Sequence, residues 1–89
     1  MPYIKVEDRS KFEFVLSNFY RVLANKPVNM GDLNYLFTKI LHDYLKEKGL
    51  NYQNINNVIG MLECCKLEMY RRLVGPYEDK KCNENGDVG

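Results

Sequence analysis

The chain has 89 residues, of which 45% are apolar and 28% are charged, and its formal net charge is +1. This composition is ordinary for a globular protein, and the length predicts a single domain over residues 1–89 with a modest core. We therefore expect a homo-oligomer, because association supplies the buried surface that a short chain lacks. The near-neutral charge argues against general nucleic-acid binding, which usually needs a strong basic excess.

The absence of certain sequence motifs predicts the cellular compartment of the protein and its lack of cofactors. The N-terminal segment has no apolar stretch like that of a signal peptide, and no apolar run approaches the ~20 residues of a membrane span. The three cysteines, of which Cys64 and Cys65 are adjacent, do not form a disulfide framework. One histidine and no C-x-x-C pair argue against a structural zinc site. We expect a cytoplasmic protein with free thiols, no membrane association, no metal and no cofactor.

The first helix is predicted over about residues 7–24, where apolar residues recur at helical spacing. These residues are Phe12, Val15, Leu16, Phe19, Val22 and Leu23. The helix should end before Pro27, because a proline disfavours helical geometry in the residue that precedes it.

The second helix is predicted over residues 33–48, with Asp32 as its N-cap and Gly49 just past its end. Its apolar arc spans roughly 180°, whereas an ordinary surface helix has an apolar stripe of ~100°. The arc consists of Leu33, Leu36, Phe37, Ile40, Leu41, Tyr44 and Leu45. Such a width indicates contact with more than one neighbour, which again favours a homo-oligomer.

The third helix is predicted over residues 52–74, with Asn51 as its cap and Gly75-Pro76 as its stop. Gly60 in its middle costs about 1 kcal/mol relative to alanine, and we interpret it as a tight helix crossing, with a kink or a ligand approach as alternatives. Residues 76–89 show no periodicity. We expect them to be an ordered polar tail that closes over a site on the third helix. The predicted fold is all-α, a compact three-helix bundle with this tail.

The third helix contains a local conflict, because Lys66 falls inside its apolar arc. Glu63, Lys66 and Tyr70 share one face at spacings of three and four residues. One interpretation is a ligand-binding triplet in which the carboxylate orients the ammonium beside a phenol. The alternative is an intrahelical ion pair with Lys66 extending past the core to water.

Arg71 and Arg72 follow near the predicted end of the same helix. Guanidinium groups suit carboxylate or phosphate partners. The alternatives are a favourable placement of cations at a helix C-terminus and a clamp to Glu78 or Asp79 that holds the tail, with the ring of Tyr77 buried.

A basic strip is predicted on the second helix, opposite its apolar arc. It consists of Tyr35, Lys39, His42 and Lys46. Cations interleaved with aromatic residues can bind anionic ligands that stack, such as nucleotides. The alternative is an ordinary solvated face.

Five sequence motifs cover nearly the whole chain: MPYI at the N-terminus, LNYLxTxxxHxYL from Leu33, GLNYQxIN from Gly49, IGxLExxxLExYRR from Ile59 and PYEDxKxxENGDV from Pro76. By these motifs the chain resembles a family of short uncharacterised proteins of bacteria and phages. The resemblance implies no activity, but it draws attention to polar motif positions such as Asn34 and Tyr35.

The function expected from these features is non-enzymatic binding. The favoured hypothesis is a homo-oligomer that sequesters a small anionic, nucleotide-like ligand, in a phage setting as a sponge for a host immune signal in the host cytoplasm. The alternatives are an adaptor or inhibitor of a host protein and an enzyme that uses Glu63, Lys66 or His42. The predicted ligand-binding residues are Asn34, Tyr35, Glu63, Lys66, Tyr70, Arg71, Arg72 and Tyr77.

Overall fold

A computed structural model describes residues 2–89, and in this range the chain is helical or irregular, with no strand. The helices are α1 (Glu13–Asn25), α2 (Met30–Lys48), α3 (Tyr52–Met69) and α4 (Gly75–Asn85); a π-helical segment (Tyr70–Val74) joins α3 to α4, and two short 3-10 turns (Val6–Asp8 and Ser10–Phe12) precede α1. The all-α prediction is confirmed. No helix in the described range is both long and apolar enough to cross a bilayer.

The chain divides into two compact units. Residues 3–55 form one unit, which holds α1, α2 and the first turn of α3. Residues 56–89, together with Pro2, form the other, which holds the rest of α3, the π segment and α4. The two are described separately below as the 3–55 unit and the 56–89 unit.

The first helix begins later than its apolar spacing predicts. Residues 6–12 form the two 3-10 turns, and Arg9 Nε donates a hydrogen bond to the Ile4 carbonyl across 3.0 Å. The end of α1 follows the prediction: Lys26, the residue before Pro27, is extended at φ −142° and ψ 145°.

The second helix begins at Met30, three residues before its predicted start. Its N-cap is Asn29, because the Asn29 side chain accepts a hydrogen bond from the Asp32 amide at 2.8 Å. Asp32 returns the interaction by accepting from the Asn29 amide at 3.0 Å, so the two residues form a capping box. The prediction that Asp32 is the N-cap is therefore wrong. At the other end Gly49 has a φ of +121°, a conformation that favours glycine.

Two asparagines organise the link between α2 and α3. Asn51 caps α3 as predicted, since its side chain accepts from the Asn54 amide at 2.9 Å. Asn54 in turn donates to the Gly49 carbonyl at 2.9 Å. These bonds satisfy backbone groups at both helix ends.

The third helix does not stop at Gly75-Pro76. In the π segment the Gly75 amide donates to the Tyr70 carbonyl, five residues back. A proline inside a helix lacks an amide donor and crowds the carbonyl four residues before it. A π turn is one way in which a helix passes such a point, and α4 then continues to Asn85.

The stop predicted at Gly75-Pro76 is therefore wrong, and the segment expected to be a tail without periodicity is helical over most of its length. Residues 75–85 are helical, and the helix ends where Gly86 adopts a φ of +93°. Because α4 continues the helix through the π segment, it does not fold back as a lid over α3.

Few apolar side chains are buried in the described residues. Within residues 2–89 the buried apolar side chains are Leu45 and Val58. Gly60 has open space where a Cβ would lie, so the tight crossing predicted there is absent from the described residues.

Candidate functional site

The eight predicted ligand-binding residues fall in two parts of the chain. Asn34 and Tyr35 lie on α2 in the 3–55 unit. The other six lie in the 56–89 unit, on α3 (Glu63, Lys66), the π segment (Tyr70, Arg71, Arg72) and α4 (Tyr77).

Lys66 forms an ion pair with Glu63. The Lys66 Nζ lies 3.0 Å from Glu63 Oε1, and the two side chains are 59% and 55% exposed. This is the intrahelical pair foreseen as the alternative, and at this exposure it contributes at most a few tenths of a kcal/mol. The apolar residues of the surrounding arc are themselves exposed, among them Leu62 and Leu73. The apparent conflict of a lysine among core residues therefore does not arise.

Arg71 and Arg72 converge on a single carboxylate, that of Glu68. The Arg71 Nη2 atom donates to both Glu68 oxygens, at 2.9 and 3.2 Å. The Arg72 Nε atom lies 3.5 Å from Glu68 Oε1. The Glu68 side chain is only 19% exposed, whereas the two guanidinium side chains are 63% and 62% exposed. Charge-assisted pairs of this kind are the stronger hydrogen bonds of proteins.

Glu68 is a functional candidate that is missing from the predicted ligand-binding set. It precedes the two arginines by three and four residues, which are the spacings at which helical side chains meet. The sequence alone contains this signal, since Glu68 lies closer to the arginines along the chain than the tail acids Glu78 and Asp79 do.

The end of the helix does not explain the two arginines. The helical run continues from the π segment to Asn85, so Arg71 and Arg72 lie about three turns or more before its C-terminus. The favourable field of a helix end falls off within the last turn. Their placement is therefore accounted for by Glu68 and not by the helix dipole.

The two tyrosines of this region are exposed. Tyr70, the first residue of the π segment, is 56% exposed, and Tyr77 is 61% exposed. The Lys81 Nζ atom lies 5.8 Å from the centre of the Tyr77 ring, within the range of a cation–π contact. The prediction that Tyr77 buries its ring is wrong. Both phenol rings remain available for stacking.

We refer to Lys66, Glu68, Tyr70, Arg71 and Arg72 as the arginine cluster. Lys66 pairs with Glu63, and the two arginines pair with Glu68, so the cluster and Glu63 together carry three cations and two anions. What the arrangement offers chemically is two largely exposed arginine side chains on one carboxylate, with an exposed tyrosine at the neighbouring position in the chain. Such a surface can bind an anion that carries several oxygen atoms.

The predicted strip on α2 has the features of a solvated helix face. Asn34 accepts a hydrogen bond from the Thr38 hydroxyl at 3.0 Å. Lys39 pairs with Asp43 at 3.1 Å, with both side chains more than half exposed. Tyr35 is 61% exposed. The pairing of Lys39 lowers the positive charge of the strip.

A second feature, an apolar groove between α1 and α2, lies entirely within the 3–55 unit. Its volume is about 630 Å³. It is lined by Val15, Leu16, Asn18, Phe19, Val22, Lys26, Pro27, Val28, Asp32, Leu33, Leu36, Phe37 and Ile40. None of the predicted ligand-binding residues lines this groove. Apolar spacing in the two helices predicted most of its walls, but not the gap between them.

Comparison with known proteins identifies a family without an activity. The family described as a domain of unknown function (DUF6899) matches residues 1–88. No curated protein and no solved structure matches the chain.

Proposed function

We propose that this chain, which belongs to the DUF6899 family, is a non-enzymatic, homo-oligomeric protein that sequesters a small anionic, nucleotide-like ligand. The single observation that supports this proposal is the convergence of Arg71 and Arg72 on Glu68, with both guanidinium groups still largely exposed. A multi-oxygen anion offers the guanidinium groups the same bonding that the carboxylate provides.

The ligand class follows from the chemistry of the cluster. Arginine binds phosphate and carboxylate through paired N–H donors, and an aromatic ring beside it can stack on a base. Tyr70 and Tyr77 supply such rings. A nucleotide combines a phosphate with a base and therefore offers a partner to both kinds of side chain, whereas a simple inorganic anion offers one only to the arginines.

We expect Tyr77 on α4 to contribute to the ligand site. In a phage setting the protein would act in the host cytoplasm as a counter-defence sponge for a nucleotide signal.

The proposal is tested by thermal shift with a panel of mono-, di- and cyclic nucleotides. A ligand that binds only the folded state raises the melting temperature in proportion to RT ln(1 + [L]/Kd). The double variant Arg71→Gln, Arg72→Gln should abolish this shift, because glutamine keeps the helix but removes the charged donors. Inorganic phosphate added alone separates recognition of phosphate from recognition of a nucleotide.

The control is Arg21→Gln, which removes an arginine from α1. It should leave the nucleotide-induced shift unchanged. A panel in which no nucleotide stabilises the wild-type protein, or in which Arg21→Gln and the double variant lose the shift equally, would contradict the proposal.

The second candidate function is an adaptor or inhibitor that binds a host protein, and the apolar groove of the 3–55 unit favours it. Exposed contiguous apolar surface marks interaction sites. An adaptor of this kind should be stabilised by a protein and by no member of the nucleotide panel.

A further inference from the structure

The groove between α1 and α2 is a surface that the proposed ligand binding does not use. One wall is formed by α1 and the other by α2, and both walls are mostly apolar, with Asn18, Lys26 and Asp32 as the polar lining residues. Two helices alone cannot bury both of their apolar faces, because a stable layer of secondary structure needs a second layer against it. Within the 3–55 unit the only other helical elements are the two 3-10 turns and the first turn of α3, and none of their residues lines the groove.

Exposure of the lining residues shows how much apolar surface is uncovered. Val15 is 59% exposed, Phe37 55% and Ile40 49%. Six large lining residues, namely Val15, Leu16, Val22, Leu36, Phe37 and Ile40, have exposures between 38% and 59%. At roughly 150–200 Å² for a whole large side chain, these six expose on the order of 500 Å² per copy.

The uncovered area matches what a dimer requires. Two such faces in contact would remove on the order of 1,000 Å² from water, which is where specific protein interfaces begin. Neighbouring exposed residues such as Leu23 would add to this area.

The charges of the groove favour a copy of the same chain as the occupant. Its lining contains one cation, Lys26, and one anion, Asp32, so the face carries no net charge. A partner with a strongly acidic or basic surface finds no complement here. In a two-fold interface each copy presents the same patch, so Lys26 of one copy has an Asp32 of opposite charge available in the other.

We propose that the groove is a self-association face, and that two copies pair α1 and α2 against α1 and α2 to form a four-helix assembly. Helical hairpins reach a closed core in this way, as in four-helix bundles. This inference rests on the homo-oligomeric part of the proposed function and not on its ligand. A failure to bind any nucleotide would therefore leave the self-association face untouched, and the test below addresses that face separately.

The test compares two matched substitutions in the full chain. Phe37→Glu places a carboxylate inside the groove. Phe14→Glu makes the same change on α1 at a residue that is 78% exposed and does not line the groove. Sedimentation equilibrium of the wild-type protein at tens of micromolar should give twice the 10.5 kDa chain mass. Phe37→Glu should raise the dimer dissociation constant at least about 100-fold, since it buries an unpaired charge, and Phe14→Glu should remain dimeric.

A monomeric wild-type protein would overturn the inference, and so would equal dissociation of the two variants or dissociation by Phe14→Glu alone. Circular dichroism checks that Phe37→Glu stays helical. If this variant unfolds, hydrogen exchange of the wild-type protein decides instead. Amides of α1 and α2 should become more protected as the concentration rises through the dissociation constant, and protection that is independent of concentration would overturn the self-association face.

Discussion

At the scale of single residues, the structure replaces several predicted roles with local pairings. Lys66 pairs with Glu63 one turn away, and Arg71 and Arg72 pair with Glu68. Pairs three or four residues apart form wherever a helix forms, so they need no tertiary contact. At an exposed site such a pair contributes little to the free energy of unfolding. These pairs therefore matter more for the charged surface that they present to a ligand than for stability.

Lys66→Met tests this view of the lysine. Because the ion pair is more than half exposed, we expect the free energy of unfolding to change by no more than about 0.5 kcal/mol. If Lys66 contributes to anion binding, the variant should bind the nucleotide more weakly while remaining folded. Chemical denaturation and thermal-shift titration measure the two effects.

The stability control is Lys39→Met, since Lys39 and Asp43 form an exposed pair of similar geometry on α2. The two variants should have equal stabilities. A loss of several kcal/mol in Lys66→Met alone would mean that Glu63 is left as a buried, unpaired carboxylate, contrary to the observed exposure.

At the scale of elements, the least expected feature is the helix that passes through Pro76. Apolar periodicity ends near Val74, and Gly-Pro is an ordinary stop signal. The chain continues as α4 as an extension of the helix that precedes it, and within α4 Lys81 and Glu84, both good helix formers, pair at 3.3 Å. The π segment adjusts the hydrogen bonding at the one point where proline cannot donate.

Pro76→Ala should remove the cause of the π segment. An alanine at position 76 supplies the missing amide, so Tyr70–Val74 should become α-helical and the helix should gain up to ~3 kcal/mol. Nuclear magnetic resonance would detect the change as a switch from five-residue to four-residue hydrogen bonding, with slower amide exchange in residues 70–80.

Pro27→Ala serves as the control, because Pro27 lies in the irregular link between α1 and α2. It should not alter the exchange of residues 70–80. Persistence of the Gly75-to-Tyr70 hydrogen bond in Pro76→Ala would show that something other than the proline imposes the π geometry.

At the scale of the whole molecule, the two proposed surfaces differ in physical character. The groove is apolar, and its burial depends on the hydrophobic effect. The arginine cluster binds through charge, and interactions of exposed charges are screened by salt. A change in ionic strength should therefore affect nucleotide binding and self-association differently.

Raising the salt from roughly 0.05 to 0.5 M should weaken nucleotide binding several-fold and leave the dimer unchanged or tighter. Titration calorimetry and sedimentation equilibrium on the same sample measure the two constants. A dimer that dissociates at high salt would assign self-association to charged residues and not to the groove.

The sequence by itself determined the features that depend on neighbours along the chain. Helical spacing predicted the central parts of α1, α2 and α3, Pro27 predicted the end of α1, and Asn51 predicted the cap of α3. These are short-range effects of backbone geometry and hydrogen bonding. For the same reason, the spacing of Glu68 to the two arginines could have predicted their pairing.

The structure decided what short-range patterns leave open. A weakly amphipathic stretch such as residues 75–85 has no clear period, so its helicity depends on the helix that precedes it. Apolar spacing predicts which face a helix must bury, but not whether its own chain covers that face. The open groove between α1 and α2 is an example. The apolar pattern of these helices fits a partner helix from the same chain or from another copy, so the pattern alone does not predict which of the two covers the groove.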